Sequence, residues 1–102
     1  MLFMVVEHFK PGSALAIYDV VRSRGRQLPE GLRYVDSWVE VTFNRCFQLM
    51  ECDDASLLQG WVLQWSEFDF GTFEIVPVVP SKQTREMVER YLPPLSDDTE
   101  LP

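Results

Sequence analysis

Two strand-length runs, Arg33 to Val41 and Arg45 to Cys52, lie three residues apart, a spacing that makes them one β-hairpin with two chemically different faces. If Thr42, Phe43 and Asn44 form the loop, with Asn44 in the left-handed conformation its short side chain tolerates, Val41 faces Arg45. Val39 then opposes Phe47 and Ser37 opposes Leu49. On the reverse face Trp38 opposes Gln48, Asp36 opposes Met50 and Tyr34 opposes Cys52. The first face reads as core. The second carries an assortment that a plain core would not choose. A slip of one residue would mix apolar and polar positions on both faces, which favours this register.

The elements around the hairpin follow from local signals. Leu2 to Phe9 is a nearly continuous apolar run of strand length, expected to be central in a sheet. Lys10, Pro11 and Gly12 end it, and Ser13 can cap a helix whose stripe is Ala14, Ile17, Tyr18 and Val21. Arg22 and Arg24 suit the last turn of that helix, and Gly25 suits its stop. Pro29, Glu30 and Gly31 carry turn chemistry before the hairpin. After it, Asp53 or Asp54 caps a second helix striped by Leu58, Trp61, Val62 and Trp65, with Gly60 allowing a neighbour close. Phe73 to Val79 reads as a strand, and Pro77 inside it, lacking an N–H, sends that strand to a sheet edge. Pro80 and Ser81 open a third helix with Met87, Val88, Tyr91 and Leu92 on its apolar side, stopped by Pro93 and Pro94.

Strand, helix, strand, strand, helix, strand is the split βαβ order of an α+β domain with a four-stranded antiparallel sheet. Right-handed crossovers put the first and third strands in the middle and both long helices on one face. That face is expected to be lined by Phe3 or Met4, Val35, Val39, Phe47, Leu49 and Ile75. The other face, with Tyr34, Trp38 and Met50, stays bare over more apolar area than a monomer usually exposes, so a homodimer is expected. Residues 1–92 form the single domain, and 93–102 an acidic C-terminal tail expected to be loose.

Charge narrows the partners. Sixteen acidic against nine basic side chains oppose attraction to nucleic acid or anionic lipid. The N-terminal apolar run is too short to span a membrane and lacks the flanks of a secretion signal, so a cytoplasmic location is expected. Cys46 and Cys52 on one strand lie about 20 Å apart, beyond disulfide reach, and are expected as free thiols.

The segments LFMVVEHF, PEGLRYVDSWV, RCFQLMECDD and WVLQWSEF followed by FEIVPVV resemble a family of short bacterial proteins classed as a domain of unknown function, within the dimeric α/β-barrel superfamily. The resemblance spans about residues 2 to 80 and implies a ferredoxin-like fold and a barrel formed by two subunits, to which the third helix is an extra C-terminal element. That superfamily also holds cofactor-free monooxygenases and muconolactone-isomerase-like enzymes, so the resemblance transfers no reaction.

The candidate ligand-binding residues are His8, Tyr34, Asp36, Trp38 and Gln48. His8 is the only histidine and the one side chain that ordinarily titrates near neutrality, although a lone strand-end histidine is more often structural. Asp36 beside a partly apolar cavity could shuttle a proton, against the plainer reading that it pairs with Arg33 or Arg45 across a subunit boundary. Tyr34 and Trp38 could stack a flat ligand or simply pack a dimer. Trp61 and Trp65 read as core. Arg22, Arg24, Arg26 and Arg33 could clamp an anion, though dipole complementation and solvation account for them as well. No metal-ligand spacing, nucleophilic triad or phosphate loop is present, so no cofactor is expected. Three functions stay open: a dimer binding a compact apolar or aromatic small molecule between sheet and partner, a cofactor-independent oxygenase or isomerase, and a purely structural or regulatory dimer.

Overall fold

The computed structural model describes residues 1–95. The expected acidic tail therefore lies outside the described residues from position 96 onward. Leu2–Phe9 (β1), Ala14–Arg24 (α1), Arg33–Val39 (β2), Arg45–Glu51 (β3), Ser56–Ser66 (α2) and Gly71–Val78 (β4) follow one another in the expected order, and Ser81–Val88 (α3) comes last. The strands form one antiparallel sheet in the order β2-β3-β1-β4. This is a ferredoxin-like α+β fold. Pro77 falls on the edge strand β4, where no neighbour needs its missing N–H.

Local chemistry shapes the connections. The turn before β2 is closed by Leu32 N–H donating to Pro29 O at 3.1 Å, with Gly31 at φ 93, a value that favours glycine. Ser13 precedes α1 but does not cap it through its side chain; its hydroxyl donates to Lys10 O at 2.6 Å and so ties the end of β1 to the helix. At α2 the aspartate that engages the helix start is Asp54, whose Oδ1 accepts from Ser56 N–H at 2.9 Å and Ser56 Oγ at 2.7 Å. Gly60 meets no neighbour, contrary to the close approach expected there. Gly71 is the close approach instead: a Cβ on it would sit 1.9 Å from His8 O.

The hairpin register differs from expectation by one residue. Val39 pairs with Cys46, Trp38 with Phe47, Ser37 with Gln48 and Asp36 with Leu49. The cause is the loop: Glu40 N–H donates to Arg45 O, Phe43 N–H donates to Glu40 O, and the residue with positive φ is Phe43, at 61°, rather than Asn44. Four residues, not three, therefore turn the chain. A β-bulge between Tyr34 and Asp36 then sets Tyr34 opposite Met50, not opposite Cys52 as expected, and leaves Val35 half exposed.

Because side chains alternate, the one-residue slip inverts β3 relative to expectation. Cys46, Gln48 and Met50 face the helices, and Phe47 and Leu49 face away. The core on the helix side holds Phe3, Val5, Leu32, Met50, Cys52, Leu58, Trp61 and Trp65. Phe73 and Ile75 of β4 and Val20 and Val21 of α1 pack against it. Burying Trp61, the largest fully enclosed side chain, contributes on the order of 3 kcal/mol by area alone. The open face carries Met4, Trp38, Phe47, Leu49 and Val76.

Candidate functional site

A cavity of about 100 Å³ lies between the helix side of the sheet and the two long helices. Its position follows from the inverted β3: the expected cavity lay on the bare side of the sheet, whereas Gln48 and Cys46 turn inward to line this one. Trp61, Trp65, Phe70 and Phe73 form much of its apolar wall, and Ile17, Tyr18 and Val21 of α1 line another side, leaving it partly open to solvent. Few polar groups reach in, which is the composition of a small-molecule site.

Glu7 is the central one. It sits inside the apolar run of β1, where strand alternation from Val5 turns it toward the helices. Gln48 Nε2 donates a hydrogen bond to Glu7 Oε1. Burial pushes the Glu7 carboxyl up to about 7, while the Gln48 hydrogen bond and the Arg26 charge act in the opposite direction. Burial, reinforced by the Glu7 charge, also pushes the Cys46 thiol up to about 12. Cys46 is directly across the ladder from Glu7.

Arg26 is held at its backbone and at its head. Its carbonyl accepts from both indoles, Trp61 Nε1 at 2.9 Å and Trp65 Nε1 at 3.1 Å. Its guanidinium lies 3.7 Å from the centre of the Tyr34 ring, a cation–π contact. Tyr34 in turn shares a 2.6 Å hydrogen bond between its hydroxyl and Ser37 Oγ. A chain of contacts thus links the helix-side tryptophans, Arg26, Tyr34 and the cavity-lining Ser37.

The five residues expected at the site separate into two groups. Gln48 lines the cavity, and Tyr34 approaches it through Arg26 and Ser37. Asp36 and Trp38 lie on the open face, where Trp38 is 52% exposed and the Asp36 carboxylate accepts from Ser37 N–H at 2.8 Å. Arg33 and Arg45 form ion pairs within the chain with Glu51 and Glu40 instead of Asp36. His8 borders one end of the cavity, but its Nε2 is 2.8 Å from Glu74 Oε1 across the open face. Glu7, Cys46 and Ser37 were not expected at a site, and Arg26, expected only as part of an anion clamp, lines this cavity instead. Glu7 carried a readable signal, since an acid inside a strand buried on both sides needs a partner or a raised pKa.

The arginines assemble no anion clamp: Arg22 pairs with Asp19 at 2.6 Å and Arg24 lies over Phe68 at 5.6 Å. Among the described residues no group of three His, Cys, Asp or Glu side chains is placed to hold a metal, and no helix is long and apolar enough to cross a membrane. A carboxyl poised near neutrality, an amide, a guanidinium and aromatic walls can together orient a small polar head and take or give one proton.

Fold and cavity together define a small ferredoxin-like domain with an internal apolar pocket. The chain belongs to the family described as Domain of unknown function (DUF3303), which matches it over residues 1–92. No curated protein and no solved structure matches it.

Proposed function

We propose that this domain binds a compact, partly apolar or aromatic small molecule between its sheet and its own two long helices, and that it works as a homodimer whose second copy covers the open sheet face. The observation that carries the reading is the convergence of Glu7, Gln48 and Arg26 on an aromatic-walled cavity. At about 100 Å³ the space is about two thirds of the roughly 150 Å³ dry cavity that admits benzene, so it takes a very small ligand or the apolar end of a larger one. The ligand's apolar body would lie against Trp61, Trp65 and Phe73, and its polar end against Glu7 and Gln48.

The test is intrinsic fluorescence of a Trp38→Phe variant. Its two remaining indoles both line the cavity, so small aromatic acids, phenols and lactones can be screened by quenching and by thermal shift. A saturable response that Gln48→Leu weakens at least tenfold supports the reading. A flat response across the set, with the fold intact by circular dichroism, removes it.

A second reading has its own observation. A carboxyl titrating near 7 can act as both base and acid at neutral pH, as a cofactor-independent isomerase or oxygenase requires. In that case Glu7, rather than His8 or Asp36, moves the proton. Loss of turnover in Glu7→Gln with ligand binding retained would distinguish catalysis from binding alone.

A further inference from the structure

α3 and the 3-10 turn that follows it, Glu89–Tyr91, form an arm beyond β4 that packs on little of its own domain. None of the eight residues of α3 is buried, and none of the three in the turn. The hydrophobic residues packed against the core extend along the chain only as far as Ile75. The molecule measures 60 × 31 × 19 Å, with a radius of gyration of 18.6 Å where a compact chain of this length would have about 13 Å.

The arm is nonetheless built to pack. Thr84, Met87, Val88 and Tyr91 recur at three- and four-residue steps, one stripe of a helix, and Leu92 and Leu95 continue the apolar character. Tyr91 is 81% exposed and Leu95 76%. An eight-residue helix is marginal in water without a surface to lie on, since its nucleation cost is not recovered over two turns.

The open sheet face has the matching deficit. Met4, Trp38, Phe47, Leu49 and Val76 share it, with Asp36, Glu51 and Glu74 among them. Charge adds a weaker match: the arm carries Lys82, Arg85 and Arg90 against Glu86 and Glu89, and on the open face Glu51 and Glu74 are paired with Arg33 and His8 while Asp36 has no cation beside it among the described residues. We infer that the arm of each copy docks, apolar stripe down, on the open sheet face of a second copy. The inference rests on the homodimer proposed above and adds to it the element that makes the exchange. Reciprocal exchange of this kind buries both apolar surfaces by one two-fold operation.

The experiment uses the full chain with p-benzoylphenylalanine in place of Tyr91, prepared with and without 15N, mixed, allowed to exchange and irradiated. Mixed-isotope cross-links to peptides containing Met4, Trp38, Leu49 or Val76 are expected. Sedimentation of Met87→Lys/Tyr91→Lys, whose changes touch no core residue, should show a dimer dissociation constant raised tenfold or more. Cross-links confined to single-isotope pairs place the arm on its own domain and overturn the inference. So does binding of the arm to phosphatidylserine vesicles without interchain cross-links. A dimer that persists in the arm variant and gives no mixed cross-links overturns the exchange and leaves the homodimer standing. A monomeric parent protein removes both.

Discussion

Gln48 donates its side-chain amide to the carboxyl of Glu7 inside the cavity, joining the two central strands by a polar contact on a face that is otherwise largely apolar. Strand pairing sets the geometry: Glu7 is opposite Cys46 and Gln48 opposite Val5, so the two side chains meet on the diagonal. The contact lowers the cost of enclosing Glu7 without removing it, because burial remains the larger effect.

Stability should therefore depend on the protonation of Glu7. Its folded pKa is raised from 4.5 to about 7, so the folded state holds a proton that the unfolded chain has already released between those values. Below about pH 4.5 this carboxyl exacts no penalty; the penalty grows through the window and is complete above about pH 7, at most roughly 3 kcal/mol at 1.36 kcal/mol per unit. Glu7→Gln keeps an acceptor for Gln48 and cannot ionise. Urea denaturation should find it more stable than the parent by about 1–3 kcal/mol at pH 8 and nearly equal at pH 4.5. Identical slopes of stability against pH for the two proteins would show that Glu7 is not the buried titrating group.

The Cys46 thiol, pushed up to about 12 from 9.0, is the second consequence of the same enclosure. Only the thiolate attacks a disulfide reagent, and a rise of three units cuts its population near neutrality about a thousandfold. In the native protein at pH 7.5, Cys46 should react with an aromatic disulfide at least a thousandfold more slowly than in 6 M guanidinium. A Cys52→Ser background isolates the signal, since both cysteines are buried. A ligand that seats on Glu7 should slow the native reaction further.

The arrangement of elements was legible because its signals are local and redundant. The apolar run of β1, the stripe of α2 and the edge position implied by Pro77 each point the same way, and sheet order and helix placement follow from them. The site was less legible because it depends on parity. Placing the left-handed residue at Asn44 is sound as propensity, yet the loop puts it at Phe43, and one residue of slip turns Gln48 and Met50 inward with Phe47 and Leu49 outward. The bulge at Val35 has no glycine to announce it, and it moves Tyr34 away from the face shared by Asp36 and Trp38. Glu7 was hidden by its neighbour: His8 drew the chemical reading, while the acid one residue earlier points into the cavity.

Gly71 sets how closely β4 approaches the end of β1. It pairs with Phe9 at φ 150, and a Cβ there would overlap both the carbonyl oxygen and the carbonyl carbon of His8. Backbone cannot swing aside as a side chain can, so Gly71→Ala must part the strands locally. The expected loss is about 2 kcal/mol or more. Because Gly71 and Thr72 border the cavity, ligand binding should fall with it. Thermal unfolding of Gly71→Ala beside Gly60→Ala makes the comparison, since Gly60 has no close neighbour and its replacement in α2 should raise stability by about 0.5–1 kcal/mol.

Phe43 offers the converse test of the register. It holds φ 61 with a ring 53% exposed, so it bears left-handed strain and buries little in return. Asn tolerates that conformation through local hydrogen bonding, and Phe43→Asn should stabilise the domain by about 0.5–1 kcal/mol, read as a higher urea midpoint with unchanged slope. If Asn44 were instead the left-handed residue of a three-residue loop, the same substitution would be neutral or harmful, and Asn44→Gly would be the change that helps. The two variants together report which residue turns the hairpin, and with it whether Gln48 faces Glu7.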